Sequence, residues 1–380
     1  MKRAAISTLG EQFLLSNYGT FFQHYALRRI LREMGLEPFR VSHVSDRYER
    51  AGFLWNWCKD VIRPFYWLLM MRPNWLVKCR QMFEADIQNM IFLGDYRKLI
   101  GRFHETQDFE NAAVGIMGGD QILGTQSERD WLNDIPVGGM CITYAASSDW
   151  RERRNDDQWQ KFASRQFKRF VEIGIRELAG VALCRDLVGK PDKVRHVADP
   201  VMLLKGQDYA RIASARTILK SPTLFCYVVN VRSEEDLRID EYVRLAGLLG
   251  CELKIAGIQG AELVIPYRYR IRLSPMQFVR AMIDAKYFIT NSYHGSVFAT
   301  ILKKNFLSIC QNCLPGTDQN ERQKEFMMNF GLQSRWMDWR VNVEKWYSVL
   351  MEPVDWNAVH CALDDFRSES LVWLKGAVGA

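Results

Sequence analysis

The stretch DAKYFITNSYHGSVFATIL, residues 284–302, constrains the fold of this chain more than any other. Its pattern predicts a short buried strand over Tyr287–Thr290, a tight polar turn over 291–295 and an apolar helix over 296–302. A strand, a turn and a helix in this order place side chains and free helix N–H groups at the carboxyl edge of a parallel sheet, where α/β proteins bind ligands. His294 lies in the turn and is therefore the first candidate functional residue.

Strand and helix patterns alternate along the rest of the chain in two successive sets. The first set begins at Arg3 and the second at Thr223. A length of 380 residues also exceeds what one typical core accommodates. We therefore predict two doubly wound, Rossmann-like α/β domains that face a cleft, over residues 1–205 and 206–345, followed by a helical tail over 346–380.

Composition excludes several classes of protein. A hydrophobic content of 48% excludes a disordered chain, and a net charge of +7, from 51 basic and 44 acidic residues, is too small to require a nucleic-acid partner. The nine cysteines are irregularly spaced, and the CxxC at Cys310–Cys313 lacks a second Cys/His pair, so no metal site is predicted. The arginine-rich runs 151–154 and 268–272 are interpreted as solvated faces, although either would suit an anionic substrate or a lipid surface.

The segment 51–80 is unusually rich in tryptophan, with Lys and Arg between the aromatic residues. We interpret it as a helical insertion in the first domain, and two alternatives remain open for its role. It is either a helical pair packed on its own domain or an interfacial helix that contacts a membrane peripherally. No apolar run approaches the ~20 residues that span a bilayer, and the N-terminus lacks a secretory pattern. We expect a cytoplasmic protein, at the inner face of the plasma membrane if this segment contacts lipid.

Three further groups of residues are candidates because they follow predicted strands. Asn17 and Gly19 lie in a turn between the first strand and helix, which could hold an anion or be an ordinary connection. Asp120 follows two glycines at the end of a buried strand. Arg176 follows another strand, where it could grip a carboxylate or phosphate, or form a surface salt bridge with Glu177.

Six short segments, in order along the chain, resemble those of the polysaccharide pyruvyl transferase family. Each is weakly specific alone, but the shared order makes the resemblance strong. The segments are NYG with QHYAL (17–27), GDQ (119–121), YAAS (144–147), IRE (175–177), DPVML (199–203) and TNSYHG (290–295).

The resemblance implies a fold like that of GT-B glycosyltransferases, with phosphoenolpyruvate as co-substrate and no other cofactor. It implies transfer of the pyruvyl group to two hydroxyls of a sugar, giving a ketal and phosphate. The acceptor would be a glycan or lipid-linked oligosaccharide in a polysaccharide precursor. The histidine and arginine of the family's motifs correspond to His294 and Arg176. From the chemistry of the donor we assign His294 as general acid and Arg176 as the carboxylate and phosphate clamp. The substrate-binding candidates are Asn17, Gly19, Asp120, Ser292, Gly295, Arg322 and Lys324.

One departure from the family pattern matters for phosphate binding. Ser292 stands where one branch of the family has an arginine, so a second cation must come from Lys304, Arg322 or Lys324. Two rival functions stay open: a GT-B-type glycosyltransferase that uses a nucleotide sugar, and a non-catalytic relative. His294 could also be a capping or packing residue beside Gly295.

Overall fold

The computed structural model describes residues 2–8, 16–41, 75–101, 112–124, 140–258, 260–310 and 320–380. Over these ranges the chain forms two parallel β-sheets, each flanked by helices. None of the described helices is both long enough and apolar enough to cross a membrane.

The first sheet has six parallel strands in the order β2-β1-β3-β4-β5-β6. These strands are β1 (Lys2–Ser7), β2 (Leu36–Arg40), β3 (Ala112–Gly118), β4 (Met140–Ala146), β5 (Glu172–Ile175) and β6 (Val194–His196). The helices up to the second sheet are α1 (Tyr18–Glu33), α2 (Trp75–Leu99), α3 (Trp150–Arg154), α4 (Asp157–Phe167), α5 (Leu178–Val188) and α6 (Gly206–Ile212). Short 3₁₀ turns lie at Ile122–Gly124, Pro191–Lys193 and Pro200–Leu203.

The second sheet has five parallel strands in the order β11-β10-β9-β7-β8. They are β7 (Thr223–Val229), β8 (Glu252–Ile258), β9 (Tyr287–Thr290), β10 (Phe306–Ile309) and β11 (Trp336–Met337). The remaining helices are α7 (Glu234–Leu237), α8 (Ile239–Leu248), α9 (Ala261–Val264), α10 (Pro275–Asp284), α11 (Tyr293–Ile301), α12 (Glu321–Asn329), α13 (Val343–Met351) and α14 (Trp356–Ala377), with a 3₁₀ turn at Gln333–Arg335.

The direction of winding reverses once in each sheet, between β1 and β3 and between β7 and β9. Such switch points open a crevice at the carboxyl edge of the strands, where α/β proteins bind ligands. Asn17 precedes α1, Asp120 follows β3, and His294 follows β9. Three of the residues singled out from the sequence therefore lie at these two switch points.

Helix α1 joins the two domains through aromatic packing. The ring of Tyr18 stacks on Phe278 with centroids 4.2 Å apart, and its hydroxyl donates to Leu273 O at 2.8 Å. Phe22 packs edge-on against Phe298 at 5.0 Å. One continuous apolar core thus includes residues of both sheets, which holds their facing edges at a fixed separation.

The C-terminal helix α14 returns to the first domain. Ser370 Oγ accepts a hydrogen bond from Ala198 N at 2.8 Å, and Arg367 Nε donates to Met202 O at 2.6 Å. The Trp373 ring lies so close to Gly174 that a Cβ there would be 2.9 Å from it. Helix α13, by contrast, packs on the second sheet through the buried Trp346.

Several local elements differ from those predicted. The apolar sequence of residues 197–204 predicts an extended segment, but Pro200–Leu203 form a 3₁₀ turn because Asp199 Oδ1 accepts a hydrogen bond from Val201 N at 2.9 Å. The sequence of residues 205–222 predicts a connecting region, but this region contains α6. Strand β2 was not predicted at all. Pro38 lies in β2, which the sheet accommodates because β2 is an edge strand.

The predicted tryptophan-rich insertion, 51–80, lies outside the described residues as far as position 74. From Trp75 onward the chain is α2, which continues to Leu99. The contact between this segment and a membrane therefore stays a prediction.

Candidate active site

The turn that carries His294 is fixed by local hydrogen bonds. Thr290 Oγ1 donates to Tyr227 O at 2.7 Å and accepts from Ser292 N at 3.0 Å. The Ser292 side chain caps α11 by accepting a hydrogen bond from Gly295 N. A Cβ at Gly295 would lie 2.3 Å from Thr290 Oγ1, so the turn requires glycine there. Ser292 and Gly295 therefore build the turn that presents the imidazole.

The first domain contacts the same imidazole through Gly19. A Cβ at this position would lie 2.1 Å from His294 Nδ1, so any larger residue would displace the ring. The Asn17 side chain caps α1 by accepting hydrogen bonds from Gly19 N at 2.8 Å and Thr20 N at 3.4 Å. The loop predicted to hold an anion thus lies directly against the predicted general acid.

Asp199 lies on the other side of the imidazole and was not among the predicted site residues. Its Oδ2 is 3.4 Å from His294 Nε2 and accepts hydrogen bonds from Gln23 Nε2 at 2.6 Å and Arg176 Nη1 at 3.1 Å. Complete burial by itself would raise the pKa of Asp199, but His294 and Arg176 hold it below its ordinary value. An ionised carboxylate is therefore placed where it can orient the imidazole.

Arg176 forms the salt bridge with Glu177 that was one of its two alternatives, but the pair is buried rather than on the surface, with 1% and 5% of the two side chains exposed. Nε donates to Glu177 at 2.6 Å, Nη1 to Asp199, and Nη2 to Asp120 at 3.0 Å and Ser147 Oγ at 2.8 Å. The guanidinium also lies over the Tyr293 ring at 4.4 Å. It therefore joins three carboxylates of the first domain to the turn of the second.

Asp120 joins Arg176 to Arg322 of the second domain. Its Oδ1 accepts from Arg176 Nη2 and from Arg322 Nη1, the latter at 2.5 Å. Burial would raise the pKa of this carboxyl, but the two guanidinium groups, Arg322 first, hold it well below its usual range. One carboxylate oxygen thus occupies a position between two cations, which is a geometry suited to a phosphate or carboxylate oxygen.

The three cations proposed for phosphate lie in different places. Arg322 belongs to the cluster with Asp120. Lys304 does not, because its Nζ donates to Ile283 O at 3.1 Å. Lys324 is exposed on α12 and does not line the cavity that lies beside Arg322. Arg322 is thus the candidate that the fold brings to the site.

We refer to the six residues Asp120, Arg176, Glu177, Asp199, His294 and Arg322 as the charged cluster. A cavity of about 430 Å3 adjoins it. Glu177 and Arg322 belong to both, so the cavity and the cluster share part of one wall. The other lining residues are Gln121, Ser148, Asp149, Trp150, Arg151, Arg154, Asn155, Ala179, Glu321 and Glu325.

The residues missed by sequence reasoning all lie inside the six segments that carry the resemblance. Asp199 directly precedes Pro200, and Gln23 lies one turn after Gly19 on α1. Glu177 was considered only as a salt-bridge partner, although Ser147 Oγ and Trp150 Nε1 each donate to it at 2.8 Å. These residues could have been found in the sequence, because each is a polar residue either at the end of a strand or on the buried face of a helix.

A model of the polysaccharide pyruvyl transferase family matches residues 17–309. The chain belongs to this family. It is therefore a transferase, and family membership implies a glycan acceptor in general terms. The predicted family and enzyme class are confirmed.

One solved structure supports the predicted fold class, and two others are similar with lower TM-scores. A putative UDP-N-acetylglucosamine 2-epimerase from Listeria monocytogenes matches with a TM-score of 0.51 and 9% identity, over 94% of this chain and 90% of that one. The UDP-GlcNAc 2-epimerase of Methanocaldococcus jannaschii matches with a TM-score of 0.49 and 11% identity, over 93% and 94%. The wall teichoic acid polymerase TagF matches with a TM-score of 0.46 and 9% identity, over 100% and 88%. A search of curated proteins finds no match. The two parallel sheets form a GT-B-like fold, as predicted.

Proposed function

We propose that this chain transfers the pyruvyl group of phosphoenolpyruvate to two hydroxyls of a sugar in a polysaccharide precursor. The observation that carries the proposal is the meeting of one imidazole and two guanidinium groups at the edge between the domains. His294 lies against Gly19, while Arg176 and Arg322 share one oxygen of Asp120. A donor with a carboxylate, a phosphate and a carbon that must be protonated matches these three groups.

Binding of the donor uses the two arginines. Phosphoenolpyruvate brings anionic oxygens that compete with Asp120 Oδ1 for Arg176 and Arg322. Arg322 borders the cavity with 15% of its side chain exposed, so it makes the first contact. Arg176 then exchanges its bond with Asp120 for a bond with the donor, while Asp199 and Glu177 keep its plane fixed. Bidentate guanidinium contacts orient the donor relative to the imidazole.

Proton transfer to carbon is the role of His294. Protonation of the methylene carbon gives a methyl group and an oxocarbenium-like centre, which one sugar hydroxyl attacks. Phosphate then leaves, and the second hydroxyl closes the ketal. The two hydroxyls lose two protons. One returns to His294 in place of the proton given to the methyl group, and the other leaves with phosphate. Asp199 keeps the imidazole oriented through both steps.

The location proposed for this reaction is the cytoplasmic face of the plasma membrane, where lipid-linked acceptors lie. Its support is the composition of the tryptophan-rich segment 51–80. Liposome flotation compares the wild type with a variant in which Trp55, Trp57 and Trp67 are all alanine. Flotation of the wild type alone supports the proposal, whereas equal flotation of both proteins, or of neither, rejects it.

The function is tested by phosphate release from phosphoenolpyruvate across a panel of glycan acceptors. We expect release by the wild type with its cognate acceptor and a loss of 100-fold or more, an order-of-magnitude figure, in His294→Ala. His360→Ala is the matched control, because that histidine bonds to Thr300 O at 2.9 Å on the far helix α14. It should keep the wild-type rate.

Two outcomes would contradict the proposal. Tight binding of a nucleotide sugar without any binding of phosphoenolpyruvate would indicate a glycosyltransferase instead. Full turnover in His294→Ala would leave the donor correct but would reject the imidazole as the proton source.

A further inference from the structure

Two arginines on the wall of the cavity have no partner within the part of the chain that the structure describes. Arg151 and Arg154 are exposed on α3, and neither guanidinium makes a hydrogen bond or ion pair there. Arg153, between them in sequence, behaves differently. It is buried and pairs with Asp156 at 2.8 Å and Glu152 at 2.7 Å. Spacing of i and i+3 places Arg151 and Arg154 on one face of the helix.

The other walls of the same cavity are rich in carboxylates. Asp149 and Glu177 come from the first domain, and Glu321 and Glu325 from α12 of the second. Glu325 Oε1 accepts a hydrogen bond from Leu178 N at 2.6 Å, so α12 closes directly onto the start of α5. Carboxylates accept hydrogen bonds from sugar hydroxyls, whereas paired guanidinium groups bind phosphate oxygens.

We propose that the cavity binds a saccharide with a phosphate at its glycosidic end, and that Arg151 and Arg154 hold this phosphate. The inference rests on the proposed function, since it describes the acceptor of that reaction. Arg322 and Glu177 are shared with the charged cluster, so the hydroxyls of the sugar lie toward His294 and the phosphate toward α3. Arg151 and Arg154 thereby select an activated, phosphate-linked acceptor over a free sugar.

Titration calorimetry tests the proposal with hexose 1-phosphates as probes. Glucose, galactose and N-acetylglucosamine 1-phosphates are each compared with the same free sugar. We expect at least one phosphorylated member to bind about tenfold tighter or better than its free sugar, since charge-assisted hydrogen bonds to phosphate are strong. The Arg151→Ala/Arg154→Ala variant should abolish this difference. Arg165→Ala/Arg216→Ala, at two exposed positions that do not line the cavity, carries the same loss of charge and should retain it.

A second arm identifies the source of the phosphate. The sugar that binds best is offered as its uridine diphosphate and as its diphosphate ester of a short prenol, and the tighter binder names the acceptor class. Equal binding of free and phosphorylated sugars would overturn the proposal, as would a fall in affinity for phosphoenolpyruvate in the α3 double variant. Binding of a hexose 1-phosphate without any binding of phosphoenolpyruvate would instead reject the proposed function and leave the phosphate subsite standing.

Discussion

Replacement of Gly19 by alanine tests the contact on which the proposed catalysis depends. The new Cβ would lie 2.1 Å from His294 Nδ1, 2.4 Å from its Cγ and 2.7 Å from its Cε1. Ordinary contacts of this kind begin at 3.4 Å. The ring must therefore move by roughly 1 Å, and misplacement of a reacting group by that distance costs on the order of 100-fold in rate.

The same variant should also lose some stability, which is measured separately from its rate. Overpacking of a filled site costs about 1–3 kcal/mol, whereas alanine gains up to about 1 kcal/mol over glycine within a helix. We expect the free energy of unfolding to fall by about 3 kcal/mol at most, which is the upper overpacking cost without any helix gain. Thermal unfolding and phosphate release from phosphoenolpyruvate measure the two effects separately.

Gly247→Ala is the matched control for this experiment. Gly247 lies in α8. Among the residues that the structure describes, a Cβ built there meets no atom within 4 Å apart from its chain neighbours and the backbone of its own helix. It should raise stability by about 0.5–1 kcal/mol and leave turnover unchanged. Wild-type turnover in Gly19→Ala, with an unchanged melting temperature, would refute the reasoning, because the imidazole could then not be held against this residue in the working enzyme.

Three further predictions concern the framework of the site. Arg176→Ala should lower the free energy of unfolding by about 3–5 kcal/mol in denaturant titrations, because it leaves buried carboxylates uncompensated; a loss below 1 kcal/mol would contradict the buried network. The folded protein holds the pKa of Asp120 below its ordinary value of 3.8. The ionised carboxylate therefore stabilises the folded protein fully above pH 3.8, and this stabilisation is lost as the pH falls toward the pKa that Asp120 has in the folded protein. Between about pH 5 and pH 3, the free energy of unfolding should therefore fall less steeply in Asp120→Asn than in the wild type. Equal slopes for the two proteins would show that Asp120 does not contribute in this direction. Asn291→Ala should cost about 2 kcal/mol or more in thermal unfolding, since its amide bonds both N and O of Val229 at 2.8 and 2.9 Å and both would be left unpaired.

Much of the fold could be predicted because the strands are short, apolar and bounded by turns. Strand β9 was predicted with the bounds that the structure has, since Tyr287–Thr290 follow the charged Lys286 and are followed by the polar pair at 291–292. Strand β2 was missed because Pro38 and Glu37 break the apolar pattern of an edge strand. The 3₁₀ turn after Asp199 was missed because an apolar run bounded by proline reads equally well as extended chain.

The candidate site, like the fold, was only partly predictable from the sequence. The sequence by itself determined the family, the alternation of strands and helices, and the polar turns that carry Asn17, Asp120, Arg176 and His294, because each is a local pattern of residues. Only the tertiary structure decided that Gly19 touches His294, that Asp199 faces the same ring, and that Arg322 meets Asp120. Each of these contacts joins residues more than 90 positions apart in the chain. They exist because the two parallel sheets turn their carboxyl edges toward each other, and no local pattern encodes which residues such a meeting brings together.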